Sequence, residues 1–232
     1  PVVVAPITVS FNLSGVDNLQ LSAATIAKIF QAQITKWNDP KIAAANKGVK
    51  LPATDILVAH RSDGSGTTNI FTTYLTKVSK DWESKVGKGS SVNWPVGLGG
   101  KGNEGVAANV NRVKNSIGYV EFAYAKKNHM TYVQLENAAG KFVQPEEKSF
   151  AAAAAGVDWS KFPGMATFIT NAPGADSWPI TGATFIVVYK DPADKQKADG
   201  FTHQPLFVRE GLRPTPRRLC AMRTAVLRPG SE

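Results

Sequence analysis

The chain has 232 residues, 43% hydrophobic and 19% charged, with a formal net charge of +9. That composition suits a soluble globular protein of one or two domains with a buried core and excludes extensive disorder. No apolar run reaches the roughly 18 residues of a membrane-spanning helix, and the opening PVVVAPITVSF has neither the charged start nor the cleavage site of a signal peptide. A chain that opens on Pro1 reads as processed or as a fragment. All 19 lysines lie in residues 1–200, scattered among acids and without an aromatic-basic stripe, so the charge does not indicate a nucleic-acid partner. The single cysteine, Cys220, cannot close an internal disulfide and leaves the redox compartment open.

In chain order, Val2–Phe11 reads as a strand. LSAATIAKIF reads as a helix capped by Ser22, with Ile26, Ile29 and Phe30 on its apolar face. KWNDPKIAAAN starts a second helix, capped by Asp39 with Pro40 in its first turn. Asp55–Ala59 is a short apolar run expected as a buried strand. Ile70, Phe71, Tyr74, Leu75 and Val78 then recur at helical spacing, and KDWESKV continues as a further helix. SVNWPV is a candidate strand, followed by the glycine-rich turn GLGGKGNEG and a helix over about Glu104–Arg112. SIGYVEF is expected as a strand, AYAKKN as a short helix, MTYVQLENAAGKFVQP as a hairpin and EEKSFAAAAA as a helix. WPITGATFIVVYKD closes the series as an apolar strand before the capped helix start DPADKQKAD. Strands alternating with helices predict an α/β fold with a sheet covered on both faces. Residues 201–232 differ in kind: they hold six of the eight arginines, no lysine and four prolines. They read as a frame-shifted or fused segment, or as a natural basic extension, and are expected to be disordered and dispensable.

The stretch RSDGSGTT, Arg61–Thr68, lies between strand and helix, where the first free amides of a helix favour an anion. A nucleotide-hydrolysing P-loop would need a lysine after the last glycine, but Thr67 follows Gly66. A nucleophile elbow would need G-x-S-x-G, which GSGTT does not supply. His60, Asp63 and Ser65 share the letters of a triad, yet such partners converge from distant segments, and His60 and His129 read as packed or surface residues. There remains anion cradling: Ser65 and Thr67 offer hydroxyls, Gly66 an uncovered amide, and Arg61 a planar fork for a tetrahedral oxyanion, with Asp63 to hold it. A well-capped helix beside a surface ion pair would leave the same pattern. Lys101, in the second glycine-rich turn, could add positive potential. The five tryptophans fall outside helical spacing and read as packing residues.

Taken together, KWNDPKIA, RSDGSGTTNIFTTYL, WPVGLGGKGNEGVA, IGYVEFAYA and WPITGATFIVV, in this order, closely resemble the phosphate-binding proteins of bacterial high-affinity phosphate ABC transporters. The resemblance runs from about Val2 to Asp199. It implies a two-lobed periplasmic-binding-protein-like α/β fold in a periplasmic, monomeric receptor. Such a receptor needs no metal or organic cofactor, closes on inorganic phosphate and delivers it to a membrane permease. Arg61, Ser65, Gly66 and Thr67 match the family's phosphate ligands, and Asp63 matches the acid that pairs with the arginine. Residues 1–177 then correspond to the second lobe, with a mixed sheet. Residues 178–200 correspond to a return strand and helix start of the first lobe. The family's N-terminal stretch, with further ligands and the carboxylate that accepts the phosphate proton, has no counterpart in these residues, and the ending after DPADKQKAD does not resemble the family's. The other readings are a Ser-dependent hydrolase or phosphatase, which would need a base near Ser65, and a truncated product without activity.

Overall fold

The structure is a computed structural model and describes residues 3–158, 161, 169–184, 188–189 and 226–227. The expectations for DPADKQKAD and, apart from the two-residue strand Val226–Leu227, for residues 201–232 lie outside the described residues.

β1 (Val3–Asn12) opens the chain, followed by a two-residue β2 (Gln20–Leu21). α1 (Ala23–Phe30) starts where expected because Ser22 Oγ accepts from Thr25 N–H. It buries Ile26, Ile29 and Phe30 on one face. α2 (Pro40–Ala45) is capped by Asp39, with Pro40 at its start, where the missing N–H costs nothing. β3 (Leu57–Arg61) lies two residues further along than Asp55–Ala59, because Asp55 makes only an isolated bridge to Lys36. α3 (Gly66–Val78) and α4 (Lys80–Lys85) follow.

SVNWPV is not a strand. It is a loop, and the strand is β4 (Leu98–Gly100), inside the glycine-rich turn itself. β4 forms by tertiary pairing: its residues have little strand propensity but lie beside Ala59–Arg61 of β3. The loop's alternating Val92, Trp94 and Val96 mimicked a strand, while Pro95 brings no ladder donor.

α5 (Gly102–Arg112), β5 (Ser116–Glu121), α6 (Phe122–Lys127), β6 (Thr131–Tyr132), β7 (Gln134–Glu136), β8 (Phe142–Val143), α7 (Glu147–Ala155) and β9 (Thr181–Thr184) complete the body. The expected hairpin is present as β7 and β8, whereas β6 pairs with β1 instead. The last elements are the short strands β10 (Val188–Tyr189) and β11 (Val226–Leu227), paired with each other.

The main sheet runs β4-β3-β5-β1-β6, with β9 also on β1. β3 is parallel to β4 and β5, while β1 is antiparallel to β5, β6 and β9. The sheet is therefore mixed and the class α/β, as expected. Its strands alternate between two apolar clusters. Val58, Ile117 and Tyr119 face one, with Phe30, Phe71 and Leu75. Ala59 and Val120 face the other, with Val106 and Val110 of α5 and Met130. Burying each such large apolar side chain contributes about 1.5–3 kcal/mol. Three tryptophans anchor the larger cluster with their indole N–H satisfied: Trp37 by Asn115 O, Trp82 by Gly87 O and Trp178 by Ile7 O. Both Trp178 and Ile180 are fully buried there, just before the chain pairs back onto β1.

Candidate functional site

The parallel strands β3 and β4 each end in a turn that leads into a helix, and the two turns adjoin. β3 delivers Arg61, and α3 begins five residues later at Gly66. Ser65 stands at the N-cap in an extended conformation, its Oγ accepting from Thr68 N–H at 3.2 Å. A hydroxyl used as an acceptor keeps its own proton to donate. Among the described residues the N–H groups of Gly66 and Thr67 have no acceptor, and no acidic side chain lies in the first turn of α3. Gly66 is exposed, and a Cβ built on it would meet nothing within 4 Å. The helix start is open, and its partial positive charge is uncompensated from within.

Arg61 lies beside it with a side chain only 10% exposed. Its Nε donates to Asp63 Oδ1 at 2.7 Å and its Nη2 to Oδ2 at 2.6 Å. Two parallel bonds fix the plane of the guanidinium, which has N–H groups left for another acceptor. These bonds, followed by one from Gly102 N–H at 3.1 Å, hold the Asp63 carboxyl well below the usual carboxylate range. The same pair raises the Arg61 pKa.

The second turn braces the first. Ser62 N–H donates to Gly100 O at 3.1 Å, and Gly102 N–H reaches Asp63. A Cβ on Gly100 would stand 2.6 Å from the Gly105 carbonyl carbon, so β4 and α5 touch backbone to backbone. Lys101 occupies the N-cap of α5 without a capping bond, and its side chain is exposed.

Sequence reasoning missed Tyr119. Its hydroxyl accepts Arg61 N–H at 3.2 Å and shares a 2.6 Å bond with Thr68 Oγ1. Burial pushes the phenol up to about 12, so it stays protonated at any ordinary pH. Its ring stacks on Phe71 at 4.4 Å and on Trp94 at 5.6 Å. The available signal was a tyrosine on the inward face of an apolar strand, whose hydroxyl must find a partner.

His60 is a packed residue, as expected: its ring stacks on Trp94 at 4.9 Å and its Nδ1 lies 2.9 Å from Arg61 O. His129 is exposed. Among the described residues no imidazole or carboxylate bonds Ser65 Oγ, and no cluster of His, Cys, Asp and Glu is suited to a metal. No helix of the described residues is long and apolar enough to cross a membrane. The arrangement offers donors to an anion, and among the described residues no base stands on the serine.

A family model described as a PBP superfamily domain matches residues 1–203. The chain is 55% identical over 172 residues to "Phosphate-binding protein PstS" of Pasteurella multocida (strain Pm70), covering 74% of this chain and 50% of that protein. It is 50% identical over 192 residues to the protein of the same name from Haemophilus influenzae, covering 82% and 58%. Among solved structures, a phosphate-binding protein from Stenotrophomonas maltophilia superposes with a TM-score of 0.54 at 20% identity, over 78% of this chain and 52% of that one. The chain spans about half the length of the curated relatives it matches.

Proposed function

As this chain belongs to the PBP superfamily, we propose that it is the phosphate-receiving lobe of the substrate-binding component of an ABC-type phosphate importer. The observation that carries the reading is the Arg61 fork, fixed on Asp63 beside a helix start with open Gly66 and Thr67 amides. Arg61 supplies charge-assisted bonds, Ser65 and Thr67 hydroxyl or amide donors, and Gly66 an amide close enough for direct contact. Asp63 orients the arginine and takes no part in binding. Such a receptor works as a monomer in the periplasm and hands inorganic phosphate to a membrane permease. It is read as a receptor without turnover, and among the described residues no base bonds Ser65 Oγ. We assign residues 1–177 to this lobe and residues 178–200 to a return toward the other, a reading supported by the pairing of β9 back onto β1.

Titration calorimetry of the 232-residue chain with phosphate and with sulfate tests this. An anion held from one side forgoes several charge-assisted bonds of about 1.5–3 kcal/mol each. The chain alone is expected to bind phosphate no tighter than about 1 mM, near −4 kcal/mol, with little preference over sulfate. Micromolar, phosphate-selective binding would overturn the one-sided site. Absence of binding even at tens of millimolar would overturn the receptor reading, and release of phosphate from an aryl phosphate ester would reinstate a hydrolase.

A further inference from the structure

Tyr119 is buried in the sheet and does not border the open face of the site, yet two parts of that site meet at its hydroxyl. One is the backbone N–H of Arg61 at the end of β3, and the other is the side chain of Thr68 in the first turn of α3. Thr68 in turn gives its backbone N–H to Ser65 Oγ. One buried hydroxyl therefore connects the strand that carries the fork to the helix start that carries the amides. Among the described residues no other hydrogen bond spans from Arg61 to α3, and the Arg61 side chain bonds Asp63 alone. The ring is held by Phe71 on α3 and Trp94 in the loop before β4, so the hydroxyl cannot wander.

Two hydroxyls share one bond here. Tyr119 and Thr68 have two hydroxyl protons between them, and a single contact uses only one. The other proton has no acceptor among the described residues, so the connection is not saturated.

We infer that Tyr119 is a positioning residue for anion binding, setting the spacing between the Arg61 fork and the Gly66–Thr67 amides through its bonds to Arg61 N–H and Thr68 Oγ1. The inference rests on the phosphate reading above and deepens it. Fork and amides must reach one tetrahedral anion together, and a small misplacement of either loses the bonds of both. Removing the hydroxyl leaves the ring packing in place and frees the two halves to drift.

The test uses inorganic phosphate as probe and the full chain, with binding followed by the amide NMR shifts of Arg61 and Ser65–Thr68. Tyr119→Phe and Thr68→Val are each expected to weaken phosphate binding about tenfold, the equivalent of one bond. The double variant should be no weaker than either single one, because both break the same connection. Ser116→Ala, which removes a buried hydroxyl at the far end of β5 that bonds Val110 O and Val113 O, controls for lost stability and should leave binding unchanged. In Tyr119→Phe the Arg61 amide should also exchange faster with solvent, whereas the Ser116 variant should not alter it. Parental affinity in Tyr119→Phe, or an equal loss in Ser116→Ala, would overturn the positioning role while leaving the phosphate site intact. No phosphate-dependent shifts in the parent itself would overturn the phosphate reading and this inference with it.

Discussion

The starts of α3 and α5 lie next to each other, follow parallel strands and share a glycine-rich approach, yet they treat the positive end of a helix in opposite ways. α5 is answered from within the protein. Its Gly102 N–H donates to Asp63, and Glu104 in its first turn lies on its own backbone N–H, which holds that carboxyl below its usual range. α3 has no acid in its first turn, and its first amides have no acceptor among the described residues. A helix start becomes a brace where the chain supplies its own anion, and remains a receptor where the chain withholds one. Asp63 links the two, since one carboxylate answers both Arg61 and Gly102.

The largest effect should come from disabling the open side. Arg61→Ala removes charge-assisted bonds worth about 1.5–3 kcal/mol each, so phosphate affinity should fall about 10- to 100-fold per bond lost. Phosphate-induced amide shifts should centre on Ser65–Thr68 in the parent and fade in the variant. Shifts centred on α5 instead would reverse the contrast. A smaller effect, on stability, is expected from the closed side. Gly100→Ala places a methyl against the backbone of Gly105, and overpacking of this kind costs about 1–3 kcal/mol. Denaturant unfolding measures it, and an unchanged midpoint would show that α5 can move away from β4 freely. The smallest effect concerns the residue between them. The folded pKa of Asp63 is depressed, so its contribution to stability is complete above the unfolded value near 4 and fades as pH falls below it. Thermal melts of Asp63→Asn without phosphate should therefore show a shallower acid limb than the parent. Parallel limbs would mean that the pair with Arg61 does not persist in solution.

What the sequence disclosed was local. Ser22, Asp39 and Ser65 cap helices because a cap acts within three residues, and the glycines of RSDGSGTT mark a turn by themselves. The residues singled out there, Arg61, Asp63, Ser65, Gly66 and Thr67, occupy a single turn in the structure. Tyr119 was hidden because its partners lie 51 and 58 residues away in sequence, and pairing across that distance is set by sheet order. The SVNWPV loop was misread for the same reason. Trp94 looked like one of a strand's alternating apolar residues, but it packs against His60, Tyr119, Phe30 and Trp82, which come from four other segments. β4 was invisible because glycine does not advertise a strand and only pairing with β3 creates one.

β1 has a further consequence, in the order of folding. Every strand it pairs with is made far later than β1 itself: β5, β6 and β9 all follow residue 115. The bond from Trp178 to Ile7 closes 171 residues of chain. Closing so long a loop must precede any return from the contacts it allows, which slows folding. Until then an apolar ten-residue strand, VVAPITVSFN, has no edge to join. β1 is thus among the last elements to be seated, and in the interval it is exposed to pairing with a neighbouring chain.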